Sequence, residues 1–250
     1  MNDQMVHNLM STVDLVNATL DAAPHSWQDQ LQAIRSTTTS LDLLDTSPNE
    51  ARRRWQLPLI SVFQRVAFAD ADNGFVQDVA DWCLRQGLVL LQVYPEDADI
   101  SELIGRNWLL RAQKALANIA RAERGSASSE GSTYSQIERQ TSGTTAVAEA
   151  EARLHTADYV EARGLLSPAT EYLQRAVHAA KTQGRVTGSL LSTAAEAHMS
   201  LGNVTSFKFN DRYFQQALAY LRAAADLPDY SLPPHLNQYL DEIGPLYSHT

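Results

Sequence analysis

Apolar residues at Val6, Leu9, Val13, Val16 and Leu20 recur at alternating intervals of three and four, which draws one stripe along a helix ending near Pro24. A second stripe, Trp27, Leu31, Ile34, Leu41 and Leu44, follows with Ser26 placed to cap it, and the short break predicts an antiparallel pair. Ser47, Pro48 and Glu50 read as a capping-box start for a third helix to about Asp70; Pro58 inside its apolar run predicts a kink or two shorter helices. Asp72 or Asn73 is placed to cap a fourth helix through Phe75, Val79, Trp82, Cys83 and Leu90. Its later half is apolar on nearly every side, so it is expected at the centre. Pro95 follows its end, and Asp99 to Glu102 open a fifth helix with Ile104, Trp108, Ala112, Ala115, Leu116 and Ile119 facing inward.

From Arg124 to Thr145 the composition turns to Ser, Gly, Thr and Glu with few large apolar residues, too little burial to offset the entropy of ordering. It predicts a flexible linker over 124–145, between an N-terminal helical bundle (1–123) and a second helical part (146–250). In that part the pattern predicts helices over about 146–163, 168–182, 190–201 and 211–227. Gly184 and Gly188 punctuate one turn, Gly202-Asn203 suits a left-handed helix end, and Pro233-Pro234 starts a short final helix that caps the stack. No run alternates like a strand, so the expected fold is all-α: about ten helices in stacked antiparallel hairpins.

Two segments of the second part share a small-large-small spacing, Ala169, Leu173 and Ala176, then Ala217, Leu221 and Ala224. Residues three or four apart lie on one helix face, and the missing bulk lets a neighbouring backbone approach. Together with Ala194, Ala195, Gly202-Asn203, Tyr213 or Phe214 and a closing Pro228, the later segment resembles a tetratricopeptide repeat. The earlier one resembles it through Ala157, Tyr159, Gly164 and Pro168. The resemblance covers about residues 146–228, with a turn lengthened by Val204 to Arg212. It implies helix pairs wound into a right-handed superhelix whose concave face binds peptides or other proteins.

Composition narrows the function. With 20 Lys and Arg against 29 Asp and Glu, the net charge of -9 argues against nucleic acid as the partner. The longest apolar run, Leu88 to Leu91 with Val93 and Tyr94, falls far short of the roughly 20 residues of a membrane span. Met1-Asn2-Asp3-Gln4 lacks the basic start of a signal peptide, so an intracellular location, cytoplasmic or nuclear, is expected. Cys83, alone in the sequence, precludes an internal disulfide and a cysteine-rich zinc site, and reads as inert packing.

No Glu-x-x-His pair, His-Glu-x-x-His, Gly-x-x-x-x-Gly-Lys, Gly-x-Gly-x-x-Gly or Gly-x-Ser-x-Gly occurs, so no metal, cofactor or catalytic residue is assigned. His155, His178 and His198 have no ligand spacing, Asp42, Asp45, Asp70 and Asp72 read as helix caps, and Arg52-Arg53-Arg54 reads as a solvated turn. Phe207, Lys208 and Phe209 form either an aromatic plug for the hairpin turn or an exposed anchor for a partner; the plug is the expectation.

The expected function is a non-enzymatic adaptor that receives a peptide or helix of a partner protein. Tyr159, His198, Asn203, Phe207, Lys208, Phe209 and Arg212 are the candidate contacts. One alternative is a structural subunit of a larger complex, using an apolar surface on the fourth and fifth helices. The other is a helical enzyme or small-ligand carrier with a pocket between the halves lined by Trp55, Trp82 and Trp108.

Overall fold

The structure, a computed structural model, describes residues 3–43, 49–129 and 148–247. Helix α1 (Asp3–Ala22) carries the predicted stripe, with Val13, Val16 and Leu20 buried. A 3-10 turn (Pro24–Gln30) comes before α2 (Leu31–Asp42); Ser26 lies in that turn and donates to the Ala23 carbonyl rather than capping a helix. Helix α3 (Glu50–Ala67) is capped by Asn49, whose side chain accepts from the Arg52 amide. Asn49 has the extended backbone and short acceptor that a cap needs, so the cap expected at Ser47, outside the described residues, stands elsewhere.

α3 passes through Pro58 as one helix. A proline inside a helix costs about 3 kcal/mol, and the complete burial of Leu59, Ile60 and Phe63 just beyond it exceeds that at roughly 1.5–3 kcal/mol per side chain. Helix α4 (Gln77–Val93) starts later than Asp72 or Asn73 would place it. The Asn73 and Gly74 amides both bond back to the Asp70 carbonyl, closing a turn of their own. Helix α5 (Ala98–Ser129) is capped by Asp97, which accepts from the Asp99 and Ile100 amides. It continues through 124–129, the first stretch of the expected linker; the remainder lies within 130–147, outside the described residues.

The largest departure follows a short helical turn at 148–153. A single helix, α6 (Ala157–Thr182), crosses the place where a hairpin turn was expected between Arg163 and Pro168. It runs antiparallel to α5 along that helix: Asn118 donates to Asp158, Gly105 faces Leu173, and Gln183 donates to the Glu96 carbonyl. Leu166, Ala169 and Leu173 around Pro168 are fully buried in the core that α5 shares, so tertiary burial overrides the local break. Gly184, at φ +66°, ends α6 in the left-handed conformation.

Helices α7 (Gly188–Asn203) and α8 (Asp211–Ala225) form the expected second hairpin. Gly202 is not left-handed; it lies within the last turn of α7, and the Phe214 ring packs against it, where a Cβ would come within 2.7 Å of Phe214 Cε1. Helix α9 (Pro234–Ile243) packs on α8 with Leu236 fully buried, and a 3-10 turn (Gly244–Tyr247) follows. All four notch alanines, Ala169, Ala176, Ala217 and Ala224, are fully buried.

Among the described residues the protein is all-α, with no strand. From α3 to α8 successive helices pack as antiparallel neighbours; α1 and α2, expected as an antiparallel pair, instead each pack on the 3-10 turn between them and on later helices. Alternate helices also touch: α1 with α3, α3 with α5, α5 with α7, and α2 with α4. The stack has two buried clusters, and α5 belongs to both. Ile100, Leu103 and Ile104 join the N-terminal cluster; Leu109, Ala112, Ala115 and Ile119 join the C-terminal one.

Candidate functional site

α3 and α5 lie side by side and parallel, because α4 runs back between them. Arg53 Nε donates to Asp97 at one end, and further along Gln64 Nε2 donates to the Leu103 carbonyl while Asn107 Nδ2 donates to Gln64 Oε1. Their outer faces enclose a groove of about 630 Å³. Leu57, Ser61, Val62, Arg65 and Phe68 recur along α3 at intervals of one, three and four, and Asp99, Glu102, Leu103, Arg106 and Leu110 along α5, so each set lies on one helix side. Leu103 and Phe68 are buried, Leu57, Val62 and Leu110 are half-buried, and Ser61, Arg65, Asp99 and Arg106 stand exposed. The result is an apolar trough edged by charges of both signs.

Two of those charges are already neutralised. Arg65 pairs with Asp21 of α1 at 2.7 Å, and Asp99 pairs with Arg185 beyond α6 at 2.8 Å. Glu102 and Arg106 make no hydrogen bond or ion pair among the described residues, although Arg106 is close enough for its charge to lower the Glu102 pKa. Burial acts more strongly and raises the Glu102 carboxyl above the ordinary carboxylate value.

A smaller hollow of about 260 Å³ lies where the end of α5, the start of α6 and the α7–α8 turn meet. It gathers Tyr159, Asn203 and Phe207 of the predicted contacts, with Glu123, Glu151, Arg153 and Asn210. Tyr159 donates to Glu123 at 2.6 Å; burial and that carboxylate push its phenol up to about 12. Phe207 and Phe209 are 57% and 62% exposed, so neither is the expected plug. The turn is filled instead by Val204, 1% exposed, and by the Phe214 ring on Gly202. Lys208 sits 5.9 Å from the Phe207 ring, and Arg212 stacks 4.6 Å from Tyr213.

His198 joins neither depression. It is buried between α7 and α8, with Nδ1 2.8 Å from the Ala194 carbonyl and the ring edge-on to Tyr220. Burial lowers its pKa from 6.5, so at lower pH the unfolded chain takes up the proton first. Its stabilising contribution is therefore present above pH 6.5 and is lost as the pH falls below that value toward the folded-state pKa. Melting temperature should fall between about pH 7 and 5, and less steeply in His198→Gln. Equal slopes for the two proteins would contradict this placement.

His155 and His178 are exposed, and no group of three His, Cys, Asp or Glu among the described residues is placed to hold a metal ion. Cys83 is fully buried with Sγ 3.7 Å from the Ile60 carbonyl, and burial raises its thiol pKa. Trp55 and Trp82 are buried in the N-terminal core, and Trp82 Nε1 donates to Asp42. Neither they nor the half-buried Trp108 line either depression described here. Arg52, Arg53 and Arg54 engage Gln56, Asp97 and Glu50 respectively. No described helix is long and apolar enough to cross a membrane. No family model matches this chain, and neither does any curated protein or solved structure.

The α3–α5 groove was missed in the sequence because its residues fall on second faces of helices already assigned one apolar face. The available signal was Leu103 and Leu110, which lie off the stripe of Ile104, Trp108 and Ala115.

Proposed function

We propose that this protein is a non-enzymatic binding module of the tetratricopeptide-like kind, and that a helix of a partner protein lies in the groove between α3 and α5. The observation that carries the reading is the groove itself: an apolar floor along two parallel helices, with charges at its edges. Contacts between alternate helices support it, since a tetratricopeptide-like stack lines its concave side with every other helix. The exposed Phe207 and Phe209 beside the smaller hollow form a second candidate contact surface.

Ser61 is exposed on the groove wall, so Ser61→Arg obstructs the trough without entering the core. Partners captured by the wild-type chain in its native cell should be lost from Ser61→Arg, at unchanged melting temperature, and kept by Phe207→Ser with Phe209→Ser. The opposite pattern would move the site to the hollow. Full capture by both variants would reject the module.

A further inference from the structure

The groove has one polar peculiarity. Glu102 is partly withdrawn from water among Leu57, Leu103 and Leu110, yet no described side chain bonds to its carboxylate. The neighbouring acid, Asp99, has Arg185, and the base on the opposite wall, Arg65, has Asp21. Only Glu102 and Arg106, one turn apart on α5, are left without ion-pair partners among the charged residues lining the groove. An occupant with a purely apolar face would cover both charges and leave them only their attraction to each other across one helix turn, with no hydrogen-bonded partner for either, which is unfavourable. An occupant with a complementary pair would satisfy both.

We infer that the groove selects an amphipathic helix running antiparallel to α5, whose apolar face carries an acidic residue followed four positions later by a lysine or arginine. The acid meets Arg106, and the base meets Glu102. The direction follows from the flanking helices: α3 and α5 are parallel, so their aligned dipoles favour a third helix of opposite sense between them. Running antiparallel, the occupant presents the group facing Arg106 before the group facing Glu102. Acid before base at this spacing is also the order that stabilises the occupant as a helix on its own. Burial raises the Glu102 carboxyl despite the charges of Arg106 and Arg185 nearby, which agrees with a carboxylate partly withdrawn from water and without a direct hydrogen-bonded partner.

This inference rests on the groove being the partner site, and the test separates the two. Two synthetic peptides of about 16 residues, roughly 24 Å as helices, share one composition and one leucine face. One carries Glu-x-x-x-Lys, the other Lys-x-x-x-Glu. Each is titrated by fluorescence anisotropy into the full chain, into Ser61→Arg, and into the double swap Glu102→Lys with Arg106→Glu, whose folding is checked by melting. The acid-first peptide should bind the wild-type chain about ten-fold tighter, and the swap should invert the preference. Equal affinities, both abolished by Ser61→Arg, would overturn the charge complement while leaving the groove intact. Binding indifferent to Ser61→Arg, or no binding by either peptide, would overturn the groove reading and the inference with it.

Discussion

Replacing Gly105 with valine is expected to destabilise the protein by about 3 kcal/mol, lowering its melting temperature by roughly 6–12 °C. A Cβ at this position would lie 2.6 Å from Leu173 Cγ and 3.0 Å from the Leu173 backbone nitrogen. The first atom belongs to a side chain that is itself fully buried, and the second to the backbone of α6, so neither yields freely. Valine adds two methyl groups to that contact, and α5 and α6 must part where both cores meet. Gly164→Ala is the matching control. Nothing lies within 4 Å of its Cβ position, and the residue is helical, so alanine should stabilise by about 0.5–1 kcal/mol. Were Gly164 the left-handed end of a separate helix, alanine would destabilise instead. Thermal melts of the two variants thus check both the close contact and the continuity of α6.

The second large effect lies in the buried polar chain joining α3, α4 and α5. Asn107, fully buried, donates to Gln64 Oε1 at 3.1 Å and to the Ala80 carbonyl at 3.2 Å, and accepts from Arg111 Nε at 2.8 Å. Arg111 continues to Asp81 at 2.6 Å, and Gln64 to the Leu103 carbonyl. Asn107→Leu leaves Gln64 Oε1 and Arg111 Nε without this partner. At 1–3 kcal/mol for each orphaned group, a loss of about 3 kcal/mol is expected. Adding Gln64→Leu removes one orphan, so the double variant should be less destabilised than the sum of the single ones. Chemical denaturation across the four proteins reads the coupling, and additive costs would show that the side chains act independently.

Much of the fold was legible in the chain. The stripe of α1, the α7–α8 hairpin and the buried faces of Ala169, Ala176, Ala217 and Ala224 follow from spacing alone, because each is a local pattern on one helix face. What misled were local break signals at places where packing decides. Gly164 and Pro168 look like a turn, but α5 supplies a long surface that buries Leu166 and Leu173 on either side of the proline. Gly202-Asn203 does end α7, but without the left-handed turn, and that glycine is small to admit a ring. Asn49 took the capping role read into Ser47, and Asp97 caps the helix that Asp99 to Glu102 were read as opening, since several short polar side chains compete near one helix start. The groove depends on α3 meeting α5 across a helix that separates them in sequence, and no single-helix pattern encodes that meeting.

α5 is the keel of this molecule, and that governs how it can be divided. A cut anywhere between 130 and 147 looks harmless on the chain, yet it would hand one product a keel with half its flank bare and leave the other with α6 stripped of the surface that shelters Leu166, Ala169, Leu173 and Ala176. Neither product would be a smaller version of the parent. Because α5 contributes to both buried clusters, a change that loosens this helix is expected to weaken both ends of the protein.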